Sequence, residues 1–195
     1  FFFGRDIDEG GTRDWIIYHK GIGNTGRLKF NVNTTSTSST FFQDTSPTSS
    51  LITIGTSNDI NANDASKHDY ILYCWHDVLG LQKFGSYTGN NSADGPFIEL
   101  GFKPSVLMVK RTAGANANWY IMDKETQKIN PVVEALEPNT SDSTNTASVV
   151  NFDFLSNGFK VRGTDGDINA TNIFIYAAWA EAPQFNLYGG QSNAR

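Results

Sequence analysis

The chain has 195 residues, a formal net charge of −5 at pH 7 and a pI near 5.1. This length suits one ordinary domain or two small ones. The acidic balance argues against nucleic acid and against an anionic membrane surface as partners, because the richest basic group is only Lys110-Arg111. The longest apolar stretches, residues 70–75 and 173–180, are too short to span a bilayer.

The predicted elements are almost all strands, because short aromatic and β-branched runs alternate with Gly, Asn, Ser, Thr and Asp clusters. Phe1, Phe2 and Phe3 would be an exposed apolar end unless they form a core strand or an interface. The chain begins without Met, so we expect it to be a trimmed C-terminal part of a longer protein. The predicted strands are residues 15–19, 27–32, 51–54, 68–76, 82–87, 97–100, 105–111, 118–122, 149–154, 159–162 and 173–181.

Polar segments separate these strands. Residues 33–50 and 139–148 are rich in Thr, Ser and Asn and are expected to form long solvated loops. Asn157-Gly158 predicts a two-residue hairpin turn of type I′, because both residues tolerate a positive φ. Residues 80–104 contain strand-like aromatic runs, so they are expected to be a structured connector.

The four tryptophans form two copies of one pair. The separation between Trp15 and Trp75 equals that between Trp119 and Trp179. The flanking blocks agree as well, and only the middle block is shifted slightly against the outer ones, so the length changes fall in loops. The aligned blocks are residues 15–20 with 119–124, 55–62 with 163–170, and 70–75 with 174–179.

The pattern predicts an all-β fold, an antiparallel, jelly-roll-like β-sandwich built from two duplicated halves. The first copy would cover residues 1–79, the connector 80–104, the second copy 105–184 and a C-terminal tail 185–195, packed as one compact unit. Apolar neighbours place all four tryptophans in the core.

Little in the sequence predicts catalysis. His68-Asp69 and His76-Asp77 resemble a base with an orienting carboxylate, but neighbours on a strand point to opposite faces. We therefore expect no catalytic residue and a protein that is not an enzyme. Cys74, the single cysteine, lies in an apolar block and is expected to be a buried, inert thiol.

A weak metal candidate is formed by Asp165, Asp167 and Asn169, whose spacing resembles the start of a calcium loop. The match fails at Ala170, where glycine is needed, and at Tyr176, where a bidentate glutamate is needed. The alternative is a polar turn whose side chains cap backbone amides. We therefore expect no metal and no cofactor.

Aromatic side chains could also form a contact surface. Phe84, Tyr87 and Tyr188 lie outside the repeated blocks and are the weak candidates for ligand binding. The tryptophans could stack on sugars, but their repetition in apolar surroundings favours the core.

The chain resembles an uncharacterised domain, often repeated in tandem, at the C-terminal end of tail-fibre and other virion structural proteins of marine bacteriophages. The motifs that carry this resemblance include Phe84-Gly85-Ser86-Tyr87-Thr88-Gly89-Asn90. The others are residues 15–20, 75–78, 101–104, 156–159, 176–183 and 186–195.

The resemblance implies a virion structural protein at the particle surface, such as a tail fibre, capsid fibre or decoration module. It implies a homo-oligomer, a homotrimer by analogy with phage fibres, that contacts other virion proteins and a host surface glycan. It supplies no catalytic residue. The alternative is a secreted carbohydrate-binding or carbohydrate-active β-sandwich protein.

Overall fold

The computed structural model describes residues 1–8, 13–38, 41–63, 68–144, 146 and 150–182. These residues form β-strands and one short helix, α1 (Gly166–Asn169), so the all-β prediction is confirmed. The strands are β1 (Phe2–Asp6), β2 (Ile16–Tyr18), β3 (Gly26–Lys29), β4 (Thr37–Ser38), β5 (Tyr70–Cys74), β6 (Gln82–Thr88), β7 (Phe97–Glu99), β8 (Val106–Arg111), β9 (Tyr120–Asp123), β10 (Phe152–Leu155), β11 (Gly158–Val161) and β12 (Ile173–Trp179).

The strands form three antiparallel sheets. The first sheet has the order β4-β3-β2-β1-β5, and the second has the order β6-β12-β8-β9. The third sheet has the order β10-β11-β7. The connector therefore belongs to the sheets, because its strands β6 and β7 form edges of the second and third sheets.

Alternating side chains give the first and second sheets two apolar faces each. Ile17 and Leu28 of the first sheet share one cluster with Met108 and Ile175 of the second. The other face of the second sheet shares the largest cluster with the third sheet, whose members include Phe152. The other face of the first sheet has a smaller cluster, formed by Phe2, Ile16, Tyr18, Phe42 and Ile60.

One local prediction is wrong. Residues 51–54 form no strand, because they lie in an irregular segment without ladder hydrogen bonds. The phenylalanines at the start meet the condition of a core strand: Phe2 and Phe3 belong to β1, which pairs with β2 and β5, and Phe1 and Phe2 are buried.

The predicted Asn157-Gly158 turn is also wrong in register. Leu155 pairs with Gly158, so the two turn residues are Ser156 and Asn157. Gly158 belongs to β11, where a Cβ atom would lie 2.0 Å from the Ile98 carbonyl oxygen of β7. Glycine is required there by the close approach of two strands and not by a positive φ.

Among the described residues there is no helix with the length and apolarity needed to cross a membrane.

Candidate functional site

The tryptophans differ in burial. Trp119 is 1% exposed, and its Nε1 donates a hydrogen bond to the Lys29 carbonyl oxygen, 2.9 Å away. Trp15, Trp75 and Trp179 are only half-buried. The prediction that all four are core residues is therefore right for Trp119 and too strong for the other three.

His19 is a structural histidine. It is 1% exposed, its Nδ1 accepts a hydrogen bond from the Gly21 amide, and its Nε2 therefore donates to the Tyr176 carbonyl oxygen at 3.0 Å. Burial lowers the pKa of His19 to about 4, so the ring is neutral at physiological pH. Its bond to Tyr176 joins the first sheet to the second.

The other two histidines have partners different from those that the sequence suggested. His76 Nδ1 lies 2.9 Å from the backbone oxygen of Asp77, while the Asp77 carboxylate binds Lys20 and the Phe84 amide. His68 Nδ1 lies 2.8 Å from Oδ2 of Asp6, a carboxylate distant in the sequence. The adjacent His-Asp pairs therefore do not act as units.

Asp6, Asp8 and His68 bring potential metal-ligand atoms within 4.8 Å of one another. The two carboxylates also accept backbone hydrogen bonds: Asp6 Oδ1 accepts from the Asp8 amide, and Asp8 Oδ2 accepts from the Asp69 amide, which links the segment after β1 to the segment before β5. This cluster is separate from the predicted calcium residues, and it lies where the segment after β1 meets the segment before β5.

Lys110 is another buried ionisable residue. It is fully buried in β8, where its Nζ donates to the carbonyl oxygens of Asn33 and Ala117. Burial lowers its pKa to about 8. Since both acceptors are backbone oxygens, Lys110 ties the loop after β3 to the second sheet.

The predicted calcium residues form a capped turn. Asp165 Oδ1 accepts from the Asp167 amide at 2.7 Å, and the Asp165 carbonyl oxygen accepts from the Asn169 amide at 2.9 Å. Asn169 is fully buried and donates through Nδ2 to the carbonyl oxygens of Gly163 and Ser92. These bonds favour the polar-turn interpretation over calcium binding.

The same turn occurs at the aligned block of the first half. The Ser57 hydroxyl accepts from the Asp59 amide, and the Ser57 carbonyl oxygen accepts from the Asn61 amide. Asn61 Nδ2 donates to the Gly55 carbonyl oxygen. Asn169 Nδ2 donates in the same way to the carbonyl oxygen of Gly163, the residue aligned with Gly55. The two turns therefore share their donors and acceptors.

Each turn also accepts a hydrogen bond from the loop that contains Trp15 or Trp119. In the second half, the Asn118 amide donates to Asp167 Oδ2, and Asn139 Oδ1 accepts from the Trp119 amide at 2.7 Å. Asn139 Nδ2 then donates to Asn118 Oδ1 at 2.9 Å. Three hydrogen bonds thus fix the loop that leads into β9.

The corresponding loop of the first half has the same bonds. The Asp14 amide donates to Asp59 Oδ1, and Asn31 Oδ1 accepts from the Trp15 amide at 3.0 Å. Asn31 Nδ2 donates to Asp14 Oδ1 at 2.7 Å. The two loops therefore show the same arrangement of donors and acceptors.

Two of the predicted contact residues are not on the surface. Phe84 is 2% exposed and Tyr87 is 7% exposed, because β6 packs both into the apolar clusters. The Tyr87 hydroxyl donates to the Ile168 carbonyl oxygen at 2.7 Å. Tyr188 and the predicted tail, residues 185–195, lie outside the described residues.

Cys74 is exposed, so the prediction of a buried thiol is wrong. It lies on β5, which is an edge strand of the first sheet, and its apolar block is therefore only partly covered. Partial burial raises the pKa of the thiol.

Cys74 borders an open cavity of the first half, which we call the groove. Its volume is about 530 Å³, within the range of small-ligand sites. Its lining includes Phe2, Tyr18, Leu51, Trp75 and Cys74. Sequence reasoning missed the groove, because Leu51 was assigned to a strand and Cys74 to the core.

A smaller cavity of about 240 Å³ continues from the groove. It shares Tyr18 and Trp75 with the groove and adds the charged pair Lys20 and Asp77. The combined surface is an apolar floor with a polar end.

The sequence pattern of the family described as "Domain of unknown function (DUF7483)" matches residues 6–183. The match covers most of the chain, so the chain belongs to this family. No curated protein and no solved structure matches the chain significantly.

Proposed function

We propose that this member of the DUF7483 family is a non-enzymatic structural module of a bacteriophage virion. In this proposal two duplicated halves pack as a jelly-roll-like β-sandwich and form a homotrimer on the particle surface. The module contacts other virion proteins and a host surface glycan.

The recurrence of the polar turns is the observation that carries the scaffold proposal. Side-chain bonds to backbone amides depend on both residue type and chain path, so a set of them does not recur by chance at matched positions. The second-half set is formed by Asn118, Trp119, Asn139, Gly163, Asp165, Asp167 and Asn169, with a counterpart for each member in the first half.

Strand pairing supports the same duplication. In the first sheet, Phe2 lies opposite both Tyr18 and Cys74. In the second sheet, Leu107 likewise lies opposite both Met122 and Ala178, which align with Tyr18 and Cys74. Strands β1, β2 and β5 thus have the order and register of β8, β9 and β12.

The buried histidine and the buried lysine support a non-enzymatic role. His19 and Lys110 bind backbone oxygens across the two sheets, and burial shields both from any substrate. Two sheets linked by such hydrogen bonds suit a structural subunit that is repeated in a symmetric assembly.

Two measurements test the virion proposal. The mass in solution at micromolar concentration should be three times the monomer mass of 21.5 kDa. A sharply monomeric mass would exclude the homotrimer. Antibody labelling of particles, imaged at low resolution, should place the chain on the virion surface; labelling confined to the medium would contradict the location.

The groove favours a second candidate, a carbohydrate-binding protein. Trp75 and Tyr18 line its floor, and aromatic rings pack on the apolar faces of sugars. A glycan array combined with a reducing-sugar assay separates the candidates. Saturable binding without turnover would fit either an attachment module or a binding protein, whereas turnover would overturn the non-enzymatic proposal.

A further inference from the structure

The two halves differ in what covers them. Strand β12 has neighbours on both sides, because β6 pairs with it along its whole length from Ile173 to Trp179. In the described part of the chain, β5 pairs only with β1. The outer edge of β5 therefore corresponds to the edge of β12 that β6 occupies.

The groove corresponds to a filled region of the second half. The counterpart of the exposed Cys74 is Ala178, which is fully buried. Leu51 is 69% exposed, whereas Phe159 is fully buried. The two residues align because each stands four positions before the aligned blocks 55–62 and 163–170. The same floor is thus open in one half and closed in the other.

The connector covers the corresponding apolar floor in the second half. Ile98, Leu100 and Phe102 project alternate side chains into the cluster that contains Phe159 and Ala178. β7 also pairs with β11, on the side of β11 opposite β10. One segment therefore supplies both an added strand and the side chains that fill the floor.

We propose that the groove and the outer edge of β5 form a docking site for an extended segment of a partner chain with apolar side chains at alternate positions, the chemistry that the connector has at Ile98, Leu100 and Phe102. One part of the occupant adds a strand antiparallel to β5, as β6 does to β12. The part that follows it places apolar side chains at alternate positions over Tyr18, Leu51 and Cys74, as the residues at and after β7 do in the second half. This proposal rests on the equivalence of the two halves.

The chemistry of the occupant follows from the connector. The outer edge of β5 offers backbone groups to a strand, and main-chain hydrogen bonds of this kind give affinity. The groove offers an apolar floor, so apolar side chains in the occupant give selectivity. A polar or charged segment of the same length does not fit both surfaces.

A synthetic peptide with the sequence of residues 81–104 tests this proposal on the intact chain. Cys74 is the only cysteine, so its labelling by a thiol reagent reports occupancy of the groove. At a peptide concentration about ten times Kd, labelling should slow about tenfold, because only the open groove reacts.

Matched controls define the site. A peptide with Ile98→Asp and Leu100→Asp should not protect Cys74. On the protein, Leu51→Asp should abolish protection, whereas Leu79→Asp, at a residue that is 78% exposed and does not line the groove, should leave it unchanged. Both substitutions are at exposed positions, so the fold should tolerate them.

Unchanged labelling at saturating peptide would overturn the proposal, and so would protection that survives Leu51→Asp. A peptide that displaces the chain's own β6 would bind without protecting Cys74, and that outcome also overturns it. Solution mass and particle location do not depend on the peptide, so failure here is distinct from failure of the virion proposal.

Discussion

The rings of Trp75 and Trp179 meet edge to face, with centroids 6.1 Å apart and planes at 73°. These two residues occupy the same position in the aligned blocks 70–75 and 174–179, so the second tryptophan of each pair contacts that of the other. Phe84 extends the contact, with its ring centroid 5.5 Å from that of Trp179. Trp75, Trp179 and the connector residue Phe84 therefore all contribute to the contact between the first and second sheets.

Trp119→Phe should destabilise the protein more than Trp15→Phe. The first substitution removes the donor to the partly buried Lys29 carbonyl oxygen and leaves a small cavity around a fully buried ring, at a cost of about 2–3 kcal/mol. Trp15 is half-buried, so its substitution should cost less than about 1 kcal/mol. Urea unfolding of both variants measures the difference, and equal costs would contradict the unequal burial.

Stability should fall as the pH is lowered from 7 to 4. His19 has a pKa of about 4 in the folded chain and an ordinary value of 6.5, so between these values the unfolded chain binds more protons. The stability is fully present above pH 6.5, and about 3 kcal/mol is lost by pH 4.

The unfolding free energy of His19→Gln, measured at pH 7 and pH 5, should change with pH less than that of the unmodified chain. His76→Gln is the matched control, because His76 is exposed and should retain the full pH dependence. If His19→Gln keeps the original slope, another group causes the acid sensitivity.

Gly158→Ala should destabilise the third sheet. The added Cβ would lie 2.0 Å from the Ile98 carbonyl oxygen, so β11 and β7 would have to separate, at a cost of about 2–3 kcal/mol. Gly166→Ala makes the same chemical change where the nearest atom, on Arg111, is 3.7 Å away. Its effect on the thermal midpoint should be small, and a larger loss at Gly166 than at Gly158 would refute the steric explanation.

Asn139→Ala should cost more than Asn31→Ala, although both remove the same two hydrogen bonds. Asn139 is half-buried beside the buried Trp119, so its loss leaves a shielded amide without its acceptor and costs about 1–3 kcal/mol. Asn31 is exposed, and water can replace its bonds. Chemical denaturation of the two variants checks this order; the reverse order would mean that burial does not set the cost.

The strands of the second half were predictable because local patterns agree with tertiary packing there. Residues 105–111 and 173–181 have the apolar composition of buried strands, and β8 and β12 lie at those positions. The polar turn at Asp165 was predictable for a related reason, since its bonds join residues only a few positions apart.

The groove was not predictable from the same patterns. The segment around Leu51 has a strand-like composition, and Cys74 lies in an apolar block, yet both side chains are exposed. Their exposure depends on whether a distant segment lies over them, and periodicity carries no information about that segment.

The sequence by itself determined the strand-rich class of the chain and the positions of its similar blocks, because these depend on side-chain alternation and turn residues close together in the chain. Only the tertiary structure decided which repeated positions are covered. The connector pairs with β12 and packs in one cluster with Phe159, whereas among the described residues no strand pairs with the outer edge of β5, and Leu51 is exposed. Burial is a property of contacts between distant segments, so two similar sequence blocks acquired different surroundings.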